Sequence, residues 1–240
     1  MAQDDLTQST PFGGVSGVSV DERVTTFLRA VYGWMCAGLA ITAGTAWLVA
    51  GSPVVINAII ANRALFWVLA LAQLGIVVWL SARVDKLSAA AASGLFIAYS
   101  ALTGVTMSFV LLAYTGESVA TTFLTTAAMF GSVALYGTFT RRSLAGMGQF
   151  MFMGLIGLLV ATFIGFFWHN DGLQFMISLV GVIVFTGLTA WDAQRLKAMA
   201  LASPAGSLGT QHAVVGALAL YLDFINLFLF LLRFLGGRRR

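Results

Sequence analysis

Seven apolar runs, each of roughly 20 residues or more, limit this chain to one kind of solvent. They lie near 27–50, 64–82, 88–112, 118–139, 147–168, 173–192 and 213–235. A run of that length matches a hydrocarbon core of about 30 Å when wound as a helix. Backbone crossing lipid must satisfy its own hydrogen bonds, so helices are the economical solution. Only 9% of the 240 residues are charged, where a soluble domain carries about a quarter. The fold class expected is therefore an all-α membrane protein with seven transmembrane helices. Residues 23–240 form that domain, after a polar segment, 1–22, expected to be a disordered cytoplasmic tail. The tail holds Asp4, Asp5, Asp21 and Glu22 and lacks the basic start and apolar core of a signal peptide.

The net charge of +4 does not indicate a nucleic-acid partner, because the thirteen Lys and Arg stand in ones and twos between apolar runs. They read as topogenic charges. Arg23, Arg29, Arg83, Lys86, Arg141, Arg142, Arg195 and Lys197 share one side, and the intervening loops of the other side hold Arg63 beside Glu117 and Asp171. That bias puts the amino terminus in the cytoplasm. Arg233 and Arg238 to Arg240 oppose it, so either the early charges dominate or the last segment turns back. Seven crossings is the favoured reading.

Small residues recur four apart in Gly38–Thr42–Ala46, Gly104–Ser108 and Gly157–Ala161–Gly165. Such stripes let helices approach closely in lipid. Hydroxyls crowd the third and fourth runs at Ser93, Ser100, Thr103, Thr106 and Ser108, then Thr121, Thr122, Thr125 and Thr126. They either line a pore or return bonds to their own backbone. Cys36 is the single cysteine, which excludes an internal disulfide, and with two histidines there is no zinc or haem ligand set. No nucleophile–base arrangement, phosphate loop or cofactor fingerprint is present, so neither an enzyme nor a bound cofactor is expected.

Chemistry concentrates in two acids. Asp223 stands in the apolar run 217–234, ALALYLDFINLFLFLLRF. Ten residues into a helix from Ala213 is roughly 15 Å of rise, half the hydrocarbon core. An acid there faces other helices, water or a partner. Asp192 ends the sixth run in TGLTAWDAQRLK. The two runs are antiparallel neighbours, so topology allows the acids to meet. Two carboxylates in a poorly solvated place cannot both ionise easily, and one proton tends to be shared. Raising the pH adds repulsion, and a carboxylate pair also attracts cations. Calcium takes six to eight oxygens, so such a pair suits transit better than storage. The plainer reading of Asp192 is a helix-end acid beside Arg195 and Lys197. That of Asp223 is a structural acid bonded to Asn226. Asp171 suits a solvated turn after His169 and Asn170, His212 a helix boundary, and Arg83 a topogenic charge or a switchable partner for an acid.

At 186–197 and 217–234 the chain resembles the Bax inhibitor-1 family, also called the transmembrane Bax inhibitor motif family, in a bacterial form. ALYGTFTRRSL at 134–144 adds a looser match. The resemblance implies six helices packed around a central, C-terminal seventh. It implies a pH-sensitive calcium leak gated by Asp192 and Asp223, with calcium as permeant ion held transiently by that pair. It also implies a basic residue at the end of the second helix that engages the acids, here Arg83. Asn226 is a candidate supporting polar residue. Two alternatives stand beside the leak: a non-enzymatic regulator that binds a membrane protease or other membrane protein, and a proton-coupled transporter. The expected surroundings are the lipid bilayer and calcium ions, with no nucleic acid.

Overall fold

The computed structural model describes residues 19–168, 170–204 and 206–237, without the side chains of Arg63, Phe66 and Phe166. Residues 1–18 of the expected tail, His169 and Arg238 to Arg240 lie outside them. The chain forms α1 (Val20–Ala50), α2 (Pro53–Ala61), α3 (Arg63–Ala82), a 3-10 turn (Val84–Lys86), α4 (Ala89–Ala113), α5 (Gly116–Phe139), α6 (Ala145–Phe167), α7 (Asp171–Ala202) and α8 (Thr210–Leu235). Among the described residues, α1, α4, α5, α6, α7 and α8 are long and apolar enough to cross a membrane.

The helix starts follow capping chemistry. Ser19, Asn62, Ser88, Thr115 and Asn170 accept bonds from first-turn amides of α1, α3, α4, α5 and α7, satisfying donors that a helix start leaves open. Asp21 and Glu22 occupy the first turn of α1, where carboxylates complement the helix dipole. These two were counted with the tail; the Ser19 cap makes them helical.

Two helices outrun their apolar runs. α1 has 31 residues and α7 has 32, or about 45–50 Å at 1.5 Å per residue. The excess over a ~30 Å core carries Asp21 to Arg29 on α1 and Gln194 to Lys197 on α7. Asp192 is consequently not at a helix end: α7 continues for nearly three further turns to Ala202. The connection between α1 and α3, expected to be a plain loop, contains α2, which Pro53 starts at its first position.

Close approach depends on a few glycines. A Cβ at Gly104 would meet Thr45 and the Thr42 carbonyl at 2.6 and 2.7 Å, and one at Gly38 would meet Phe96 at 2.6 Å. The stripes on α1 and α4 therefore form a seam. Gly137 of α5 leaves room for the Ala190 carbonyl, and Gly148 of α6 for the Trp191 indole. Gly165 also packs closely, against Gln174, but Gly157 has open space where its side chain would be. That part of the third stripe is not a packing surface.

α8 is the most enclosed element. It packs against α1, α4, α5, α7, α3 and the 3-10 turn, whereas α6 packs on α7. Leu220, Tyr221 and Leu227 of α8 are fully buried. The outward faces of α3 and α6 are strongly apolar, with Leu71, Leu74, Phe150, Phe163 and Phe167 all exposed. An apolar surface of that extent suits acyl chains rather than water.

The two ends of the bundle are tied separately. At one end Arg23 donates to the Ser203 carbonyl (3.5 Å), His212 meets Asp85 (3.1 Å), and Lys197 donates to the Thr138 carbonyl (2.8 Å). At the other, Thr115 N–H donates to Gly237 O (3.2 Å), and Gly237 N–H to Ser118 Oγ (2.9 Å). α8 thus ends opposite to where α1 begins, and the last segment does not turn back.

Candidate functional site: an acid pair between α7 and α8

Asp223 lies on the inner face of α8 with 5% of its surface exposed. Asp192 is half-buried on the facing side of α7. The two carboxylates act on each other electrostatically across the packed α7 and α8. Asp223 Oδ2 is enclosed and has no hydrogen-bond partner among the described residues. A buried carboxylate oxygen in that position is costly unless a proton, water or cation serves it. Arg195, one turn beyond Asp192, acts on it electrostatically while its guanidinium lies 5.5 Å from the Trp191 ring centre.

The other sequence candidates make different contacts. Asn226 Nδ2 donates to the Leu222 carbonyl of its own helix at 2.8 Å. Arg83 is exposed at the C-terminus of α3, and no hydrogen bond or ion pair joins it to either acid among the described residues. His212 is a boundary residue tying two elements. Its Nδ1 accepts from Gly209 N–H at 3.3 Å, which leaves Nε2 to donate to Asp85. The hydroxyls mostly return to the backbone: Ser100 to Phe96 O, Thr103 to Tyr99 O, Thr121 to Glu117 O and Thr126 to Thr122 O.

Two features of the site escaped the sequence reading. The first is on the opposite face of α8, where the Tyr221 hydroxyl lies 2.7 Å from Thr42 Oγ1, which in turn donates to the Ser100 carbonyl at 2.9 Å. Tyr221 is also edge-on to Phe96 and Tyr99, both at 5.8 Å between ring centres. Residues 221 and 223 are about 200° apart around a helix. α8 is therefore held to α1 and α4 by Tyr221 and faces α7 through Asp223. Tyr221 was visible as the Tyr of YLDF, but its partner is 179 positions away.

The second is Gln194, inside WDAQ. Its Oε1 accepts from Leu144 N–H (2.8 Å) and its Nε2 donates to Arg142 O (2.8 Å). Leu144 is the N-cap residue of α6, so α7 supplies an acceptor for the cap's own amide and clamps the α5–α6 connection. Gln194→Leu should release it. With about 1–2 kcal/mol lost for two bonds, tryptic cleavage after Arg141 and Arg142 should accelerate roughly tenfold, measured by gel densitometry.

Comparison with known proteins agrees with this core. A family model described as "Inhibitor of apoptosis-promoting Bax1" matches residues 24–240. The "Inner membrane protein YbhL" of Escherichia coli K12 is 46% identical over 216 residues, spanning 89% of this chain and 92% of the relative. An uncharacterized protein of Borreliella burgdorferi is 42% identical over 214 residues, with 89% and 92% covered. The YrjE protein of Lactococcus lactis is 39% identical over 229 residues, with 92% and 96% covered. A helical membrane core matched along nearly its whole length by that model and these relatives leaves one conclusion: the chain belongs to the Bax inhibitor-1 family of membrane proteins.

Proposed function

We propose that this protein is a pH-sensitive calcium leak of the cytoplasmic membrane, gated by Asp192 and Asp223. The reading rests on two acids from consecutive, packed helices that act on each other inside a lipid-facing bundle, one of them with an enclosed oxygen that has no hydrogen-bond partner among the described residues. With one proton between them the carboxylates tolerate contact. Without it, repulsion acts across the α7–α8 contact, while Tyr221 holds α8 to α1 and α4. The opened contact presents two negative oxygens to a cation. Two carboxylates are fewer than calcium's usual ligand number, which favours passage over tight retention.

In this reading α1 and α3 to α8 make seven crossings. The bundle end carrying Arg23, Arg141, Arg142, Arg195 and Lys197 faces the cytoplasm, following the positive-inside bias. Arg83 stands at that same end and remains free to approach the pair in a second conformation.

The test is calcium entry into dye-loaded proteoliposomes carrying the wild-type chain. Entry above protein-free vesicles should change several-fold between pH 6 and 8. Equal entry at both values, or none above the protein-free control, would reject the leak. Calcium movement coupled stoichiometrically to protons would favour a transporter instead.

A further inference from the structure

α1 and α5 both pack on α8 and leave between them a groove of about 470 Å³. Met35, Cys36 and Leu39 form one wall, Phe123 and Ala127 the other, and Phe224 the floor. Phe224 is edge-on to Phe123 (5.5 Å) and Phe130 (5.4 Å), and adjoins Asp223 in sequence. Phe123 and Leu135 are exposed on the outer lip, so the groove is continuous with the lipid-facing surface. Gly131 lines it, and a Cβ there would meet nothing within 4 Å.

The groove has one polar end. There Tyr32 interacts with Thr138, and Lys197 donates to the Thr138 carbonyl at 2.8 Å. Arg29 stands one turn before Tyr32 on α1, and Arg141 follows the end of α5; both are exposed. Arg29, Tyr32, Cys36 and Leu39 share one helix stripe by their spacing. An apolar slot ending at three cations matches one molecular shape, an acyl chain below a negatively charged headgroup.

We infer that the α1–α5 groove is a binding site for an anionic phospholipid of the surrounding bilayer. One acyl chain lies against Phe224, and the phosphate sits among Arg29, Lys197 and Arg141. This inference does not depend on the leak, since it concerns a different face of α8.

Cys36, the single cysteine, lies on the wall and accepts a fluorescent label. The full-length protein, bimane-labelled at Cys36, is placed in nanodiscs containing doxyl-chain phosphatidylglycerol or doxyl-chain phosphatidylcholine at equal mole fraction. Quenching by phosphatidylglycerol should saturate at low mole fraction, with an apparent affinity at least fivefold above phosphatidylcholine. Arg29→Gln with Lys197→Gln should bring the two lipids together. Gly131→Phe, which fills open space, should remove the saturable component. Quenching that rises linearly and equally for both lipids in the wild-type protein means ordinary bilayer contact only and overturns the site. A saturable component that survives Gly131→Phe in a folded protein overturns it as well.

Discussion

Gly137→Ala should lower the melting temperature by about 6–12 °C, although alanine is the better helix former. The added Cβ runs into the carbonyl of Ala190, a backbone group held by α7 itself. A side chain could rotate away; this carbonyl cannot, so α5 must shift from α7. Overpacking costs about 1–3 kcal/mol and more where the neighbour is rigid. At ~3 kcal/mol, with roughly 2–4 °C per kcal/mol for a chain of this size, the shift falls in that range. Gly131→Ala is the matched control. It lies on the same helix, and its Cβ meets open space. Relief of glycine's helix penalty should leave it neutral or up to about 1 kcal/mol more stable. Fluorescence-detected size-exclusion after heating reads both. Equal melting temperatures would show that the α5–α7 contact is not as tight as described.

Asp192→Asn together with Asp223→Asn should flatten the pH response of calcium entry from several-fold to less than about twofold. Asparagine keeps the shape of aspartate and cannot ionise, so the α7–α8 contact keeps its packing while losing the repulsion. Burial gives the change a second signature. An enclosed oxygen without a donor, as at Asp223 Oδ2, costs about 1–3 kcal/mol, and the amide NH₂ supplies donors to that space. The double variant should therefore melt at the same temperature as the wild-type protein or higher, above all at alkaline pH where the acids repel. Lower stability at every pH would make the pair a structural tie instead.

Much of this architecture was legible because lipid simplifies the code. Apolar length alone located the long helices, and the two acids stood out because charged residues are scarce within the apolar runs. Legibility failed where polarity and helicity part company. α2 is too short to register as a span, and the polar residues of α1 and α7 continue helices beyond the hydrocarbon core instead of ending them. The plainer reading of Asp192 as a helix-end acid fails for that reason, because α7 continues to Ala202. Asn226 looked like a partner for Asp223 from its spacing, but its Nδ2 donates to the Leu222 carbonyl one turn back. The Tyr221–Thr42 bond and the Gln194 clamp join residues far apart in the chain. Periodicity does not report such pairs; only the packing of α8 and α7 against their neighbours does.

The central claim is that the proton held between Asp192 and Asp223 controls the α7–α8 contact. Infrared difference spectroscopy of the carboxylic C=O stretch, titrated on the proteoliposomes used for calcium entry, measures that proton directly. The account predicts a buried carboxyl band that disappears as pH rises, over the same interval in which flux changes, and that is absent from the double asparagine variant. A flux change with no carboxyl band titrating alongside it, or a band unaltered in the double variant, would contradict it.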